Sequence, residues 1–124
     1  MAANKIIRLG PVALTTTLTT NIWNFNLTSL AGPIGFTLTQ PYVIIRHLHI
    51  VNKAGSAVTF SFWIGATSGN VAGTEVIEQG RSVSPNTSYD WYGQERMDAA
   101  DFFVGGAGTA TALTLQGEAE IGFS

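Results

Sequence analysis

Apolar and polar residues alternate along much of this chain, and the alternation is strictest over residues 111–123. One parity of that segment carries apolar or small residues, namely Leu113, Leu115, Gly117, Ala119, Ile121 and Phe123. The other parity carries polar residues, namely Thr114, Gln116, Glu118 and Glu120. Successive side chains on a β-strand point to opposite faces, so this pattern predicts a half-buried strand.

Similar patterns upstream predict seven or eight short strands. In chain order we expect a strand or strand-like arm over 12–22, a central strand over 42–53, its hairpin partner over 58–64, a short strand over 75–78, a strand from 80 with a turn or bulge at 85–88, a strand over 102–104, and the closing strand. Residues 94–101 have helical leanings but are too few for more than a turn, and residues 105–110 are expected to form a flexible turn. The pattern therefore predicts an all-β fold, an antiparallel β-sandwich or barrel. We divide it into an N-terminal arm with the first strands, residues 1–40, and a β-sandwich body, residues 41–124, in a single domain.

Composition changes this picture by pointing to assembly. Only 11% of the 124 residues are charged, against roughly 25% in typical soluble domains. A weakly charged surface resists self-association poorly, so we expect a homo-oligomer whose surface is partly covered by other subunits. The alternative is a small soluble monomer that relies on hydroxyl groups for solubility. With a net charge of -2 and Lys5 and Lys53 as the only lysines, we expect no nucleic-acid partner.

The chain shows no signal for export or membrane insertion. The first residues lack the apolar segment of a secretory signal, and no apolar run approaches the roughly 18 residues of a membrane span. We therefore expect synthesis in the cytoplasm and no membrane partner. Cysteine is absent, which excludes disulfides and thiolate sites.

Two histidines are the most conspicuous candidates for chemistry. His47 and His49 are two residues apart, so a strand would point both imidazoles to one face, where they could meet one metal ion. A third ligand would still be needed, and no carboxylate is locally placed to supply it. We therefore predict cross-strand hydrogen bonding and no metal site, although other chains around a symmetry axis could complete the set.

Other polar residues fit structural roles better than catalytic ones. Glu95, Asp98 and Asp101 cluster without calcium-loop spacing, so we expect a solvated turn in which Asp98 or Asp101 bonds to backbone amides. Glu118 and Glu120 should lie at a rim or opposite an arginine. No nucleophile elbow, phosphate loop or dinucleotide motif is present. We therefore predict a protein that is not an enzyme and needs no cofactor.

Two tryptophans are expected to point outward. Trp23 and Trp63 fall on the less apolar parity of their strands, where they could serve a subunit interface or, alternatively, stack on sugars. The low charge of the surface favours the interface. The predicted interface residues are thus Trp23, Trp63, His47, His49, Glu118 and Glu120.

The second half of the chain resembles a known family. The segments that carry the likeness are Tyr89-Asp-Trp-Tyr-Gly93, Arg96-Met-Asp-Ala-Ala-Asp-Phe102, the small-residue stretch 107–112 and the strand from Leu113 to Ile121, together with an earlier pair at 46–52 and 58–64. This succession of strands and turns resembles small virion proteins of tailed bacteriophages. The resemblance covers roughly residues 42–122, and Met97 stands where the family's turn usually has an aliphatic residue.

The resemblance implies a β-sandwich of jelly-roll type that works by occupying a site on a capsid or tail. We interpret the chain as a capsid decoration, or cement, protein located in the virion, a trimer bound to the major capsid protein, with residues 1–40 reaching neighbouring subunits as an extended arm. A tail or head-to-tail component would use the same fold. A carbohydrate-binding module is the alternative from a different class.

Overall fold

Eight β-strands build the part of the protein that the computed structural model describes, which comprises residues 5–24, 42–77, 80–98 and 101–122. The strands are β1 (Lys5–Ala13), β2 (Asn21–Asn24), β3 (Tyr42–Asn52), β4 (Val58–Gly65), β5 (Arg81–Val83), β6 (Ser88–Asp98), β7 (Phe102–Ala107) and β8 (Leu113–Gly122). Within these ranges there is no helix long and apolar enough to cross a membrane.

The strands form two antiparallel sheets of four. The first sheet has the order β1-β8-β3-β6, and the second has the order β2-β7-β4-β5. Consecutive strands lie in different sheets except for β4 and β5, which pair directly. This strand order is that of an eight-stranded jelly roll. The prediction of an all-β antiparallel sandwich of jelly-roll type is confirmed.

The core lies between the inner faces of the two sheets. Its largest fully buried side chains are Phe60, Phe62, Phe103, Leu14, Ile45, Leu48, Ile50, Met97, Leu113, Leu115, Ile121 and Val43. The alternation that predicted β8 holds along the strand, since Leu113, Leu115, Gly117, Ala119 and Ile121 are buried while Gln116 and Glu118 are exposed. Burial of these side chains supplies most of the driving force for folding.

One predicted hairpin and one predicted strand are wrong. The segments around 42–53 and 58–64 are not partners in a hairpin, because β3 belongs to the first sheet and β4 to the second. The alternation of apolar and polar residues shows which face of a strand is buried. It does not show which other strand pairs with it. Residues 75–77 do not form a strand, although the Val76 amide donates to the Phe62 carbonyl at 3.1 Å.

Two predicted turns belong largely to strands. β6 continues to Asp98 because residues 95–98 pair with the start of β3, where Ile44 lies opposite Arg96. β7 continues to Ala107, where Gly105 and Gly106 pair with β4. In both cases pairing with a neighbouring strand outweighs weak local preferences.

The N-terminal residues 5–24 contribute one strand to each sheet. β1 pairs with β8, and β2 pairs with β7. Between them, Ala107 donates to the Thr15 carbonyl at 2.8 Å and Gly105 donates to the Thr20 carbonyl at 3.0 Å. The remainder of the predicted 1–40 segment lies outside the described residues. An arm that reaches a neighbouring subunit stays a prediction for that remainder.

Candidate functional site

A β-bulge in β3 shapes the outer face of the first sheet. Ile45 lies opposite Ala119 of β8 and His47 lies opposite Glu118, so Arg46 has no counterpart on β8. Ile45 and Leu48 are buried, whereas Arg46 is exposed and His47 is half-buried. The extra residue lets both Arg46 and His47 point away from the core.

Two imidazoles and a carboxylate meet on this face. Nε2 of His47 lies 2.8 Å from Oδ1 of Asp90, and Nδ1 of His49 lies 2.7 Å from the same oxygen. His49 is directly opposite Asp90 in the pairing of β3 with β6. Rigid strands therefore hold all three side chains at one point of the surface.

Further side chains surround this cluster. The second ring nitrogen of His47, Nδ1, lies 3.4 Å from Oε1 of Glu118. The Tyr92 ring stacks on the His47 ring with centroids 4.6 Å apart and planes 11° apart. Arg46 forms an ion pair with Glu120 at 3.3 Å. We call this surface the polar face and define it by Arg46, His47, His49, Asp90, Tyr92, Glu118 and Glu120.

The polar face brings together four of the six predicted interface residues, namely His47, His49, Glu118 and Glu120. The expectation that the two glutamates lie opposite arginines is also confirmed. Glu118 is the cross-strand partner of Arg8, and Glu120 pairs with Arg46. Whether these residues contact a partner stays a prediction.

The two tryptophans lie on the second sheet, away from the polar face. Trp63 points outward from its sheet as expected, but it does not offer an open surface, because it is only 4% exposed. It lies outside the main core cluster, and its indole nitrogen donates to the Val71 carbonyl at 3.0 Å. The loop after β4 thus covers an outward-facing ring. Trp23 is half-buried and stacks on Phe103 with ring centroids 5.1 Å apart.

Sequence reasoning missed Asp90 and Tyr92. No carboxylate is locally placed in the sequence to join the histidines, but Asp90 reaches them from the adjacent strand. The parity of β6 contained part of the signal, since inward Tyr89 and Trp91 leave Asp90 and Tyr92 on the outer face. What could not be read was the register that sets β6 beside the histidines.

The predicted acidic cluster has a structural role. The Asp98 amide donates to Oδ2 of Asp101 at 2.8 Å, which confirms the expected bond to a backbone amide. Asp98 also accepts from Arg96 Nε at 2.9 Å. Among the described residues, the side chains whose potential metal-ligand atoms lie close enough together to bind one ion are those of His47, His49 and Asp90.

Electrostatics favour an ionised Asp90. Hydrogen bonds from His47 and His49 hold the pKa of the Asp90 carboxyl below its ordinary value, and burial opposes them. The stabilised form is the carboxylate that accepts from both rings. Its contribution to stability is present above the unfolded-state pKa of about 3.9 and is lost as the pH falls through the lower folded-state pKa.

We therefore expect the Asp90→Asn variant to be less stable than the wild type at about pH 6, with the difference disappearing at about pH 2. Because Asp90 is solvent-accessible, the effect should be modest, about 1 kcal/mol or less. Urea unfolding of both proteins over a pH series measures it. A difference that stays constant over the whole series would contradict the assignment.

Comparisons with known proteins identify structural similarity and no family. No protein-family model matches the chain, and no curated protein matches it. Among solved structures, the virus-like particle of Macrobrachium rosenbergii extra small virus, from the giant freshwater prawn, aligns over 100% of this chain and 79% of its own, with 10% identity and a TM-score of 0.47.

Two other similar structures are also viral. The coat protein of Tobacco streak virus aligns over 98% of this chain and 85% of its own, with 15% identity and a TM-score of 0.47. A structure of infectious bursal disease virus, Gx strain, aligns over 99% of this chain and 31% of its own, with 7% identity and a TM-score of 0.45. Similarity at this level carries no argument about function, and the assignment of the fold rests on the strand order.

Proposed function

We propose that this protein is a non-catalytic structural protein of a virion, and specifically a decoration subunit that binds the capsid of a tailed bacteriophage through its polar face. In this role the protein acts by burying surface against its partner. The observation that carries the proposal is a jelly roll in which most charged residues of the described strands, together with the exposed Tyr92, lie on one sheet.

The interior of the jelly roll favours a structural role. Eight-stranded jelly rolls occur in viral capsid domains, in lectins and in cupins, so the fold alone does not decide the function. Here the space between the sheets is filled by apolar side chains, and Asn52 is the buried polar residue within the described ranges. Its amide is fully engaged with backbone groups. Among the described residues, the interior offers no set of ligands for cupin-like chemistry.

Charge is distributed unevenly between the two sheets. The strands of the second sheet contain Arg81 as their one charged residue. The strands of the first sheet contain Lys5, Arg8, Arg46, Asp90, Glu95, Arg96, Asp98, Glu118 and Glu120. Charged groups orient a partner and set the register of an interface. The first sheet is therefore the better candidate for a specific contact.

Tyr92 provides an anchor on the polar face. Its side chain is 73% exposed, yet stacking on His47 holds the ring. A held aromatic ring loses little conformational entropy on binding, and tyrosine is enriched among residues that dominate interface energies. The neighbouring carboxylates and imidazoles supply hydrogen-bonding groups around it.

Capsid binding tests the proposal directly. Purified protein added to tailed-phage capsids that lack it should bind at a fixed stoichiometry and raise their resistance to heat. We expect Tyr92→Ala to weaken binding at least about tenfold. Ser82→Ala, at an exposed position on β5 of the second sheet, is the control and should leave binding unchanged.

Three results would separate the alternatives. Absence of binding to any such capsid would contradict the decoration role, and recovery of the protein with tails would favour the tail component. Saturable binding to a glycan would favour the carbohydrate module, although the cover over Trp63 removes one of its two expected sugar platforms. The predicted trimer is tested by the mass of the purified protein in solution, and a strict monomer would contradict it.

A further inference from the structure

We propose that His47, His49 and Asp90 form a binding site for a divalent transition-metal ion, with Zn²⁺ as the best fit. The site would use Nε2 of His47, Nδ1 of His49 and a carboxylate oxygen of Asp90, and it would leave a fourth position open. This inference does not depend on the virion role, since the isolated chain contains all three ligands.

The distances among the three groups suit one small ion. The candidate ligand atoms all lie within 4.8 Å of one another. In a tetrahedral zinc site, with bonds of about 2.0–2.1 Å, neighbouring ligand atoms are separated by roughly 3.3 Å. Both nitrogens are now 2.7–2.8 Å from the Asp90 oxygen. Admitting an ion therefore requires the carboxylate to withdraw by about half an ångström. The two nitrogens, which lie within 4.8 Å of each other, must also come to roughly 3.3 Å apart, through side-chain rotation of the partly exposed imidazoles.

The backbone places the ligands in advance. His47 and His49 lie on β3, which pairs with β6 on one side and β8 on the other, and Asp90 lies on β6. Ligands on paired strands hold their separation more firmly than ligands on loops. Folding of the sheet therefore already fixes the positions of the ligands, and metal binding loses little further conformational entropy.

Two neighbours would hold His47 in the orientation that the metal needs. When an ion binds Nε2, the ring proton is confined to Nδ1, which lies 3.4 Å from Oε1 of Glu118. A carboxylate that accepts from the far nitrogen of a metal-bound histidine is the usual supporting arrangement around zinc. Stacking of Tyr92 on the ring also restricts its rotation. Glu118 and Tyr92 are positioning residues in this proposal.

The chemistry of the donors selects the class of ion. Two imidazole nitrogens and one carboxylate suit zinc and its neighbours, whereas calcium and magnesium prefer sets made of oxygen. Three protein ligands leave room for a water molecule or for a donor from another subunit. The side chains of His49 and Asp90 are 40% and 38% exposed, so this position faces solvent.

Calorimetric titration of the full-length, chelator-treated protein with ZnCl₂ tests the site. We expect saturable binding of one ion per chain with a dissociation constant on the order of micromolar at about pH 7.5. His49→Ala and Asp90→Asn should each weaken binding at least about tenfold, and Glu118→Gln should weaken it by about 10–100-fold. Glu75→Gln changes a carboxylate in the loop after β4 and should have no effect. CaCl₂ should give no saturation in the same range.

A spectroscopic readout checks that the histidines are ligands. Binding of Co²⁺ should produce visible absorption bands, which His47→Ala should abolish while the circular dichroism spectrum of the fold is retained. Affinity for Zn²⁺ should also fall as the pH is lowered from about 7.5 to about 5.5, because protons compete for the ligands. No saturable Zn²⁺ binding below about 1 mM would overturn the proposal. Unchanged affinity in both His49→Ala and Asp90→Asn would overturn it as well.

Discussion

Replacing Asn52 with aspartate is expected to lower the free energy of unfolding by about 3 kcal/mol or more. Asn52 is 1% exposed, and its Nδ2 donates to the carbonyls of Ser56 and Val83, each at 2.9 Å. A carboxylate cannot donate, so Asn52→Asp would place a buried negative charge against these oxygens. Asn52 also accepts from the Ala54 amide at 2.8 Å. It therefore ties the end of β3 to the following turn and to β5.

Urea or thermal unfolding of Asn52→Asp measures this loss, and Asn86→Asp provides a matched control. Asn86 is an exposed turn residue with a positive φ of 56°. Aspartate tolerates that conformation, so the control should change stability by no more than about 0.5 kcal/mol. If the two variants lose the same stability, the hydrogen bonds of Asn52 do not stabilise the junction of β3, the following turn and β5.

Gly105→Ala is expected to be the second strongly destabilising change, by about 2–4 kcal/mol. Gly105 has a φ of 153°, and a Cβ added there would meet the carbonyl oxygen of Ser61 and approach Phe62 Cδ1 to 2.9 Å. The Ser61 carbonyl belongs to the backbone of β4 and cannot move without disturbing the pairing of β4 with β7. The two central strands of the second sheet would have to separate locally.

Gly65→Ala isolates the steric part of this effect. Gly65 lies on the same pair of strands with a φ of 155°, but a Cβ there would have nothing within 4 Å. Both variants carry a similar backbone cost of about 1 kcal/mol, and the contacts add about 1–3 kcal/mol only at Gly105. Equal losses in chemical unfolding of the two variants would show that backbone conformation, not close approach, requires the glycine.

The sequence predicted the buried face of each strand better than it predicted which strands pair. Inward placement of Leu113, Leu115 and Ile121 followed from a period of two, because one face of β8 is buried. The same reasoning could not show that β3 and β4 separate into different sheets. A hairpin and a crossing between sheets place the same alternation on consecutive strands, and only the packing of the whole chain distinguishes them.

Only part of the candidate site could be predicted, because the sequence shows which face a side chain occupies but not which strands are neighbours. Spacing alone put His47 and His49 on one face. Asp90 is 41 residues from His49 along the chain, and its arrival depends on the register between β3 and β6. That register shifts between Ile45 and His47, where β3 has a bulge. A cluster built across irregularly paired strands cannot be read from local spacing.

The Arg46 bulge also has a consequence for recognising distant homologues of this protein. Buried residues occupy odd positions before the bulge, as at Val43 and Ile45, and even positions after it, as at Leu48 and Ile50. A sequence profile that continues one odd-even pattern of buried positions through all of β3 will assign half of that strand to the wrong side of the sheet. Homologues should be sought with a phase break at this point, where gain or loss of one residue can change the outer surface while both halves of the strand keep their apolar side chains inside.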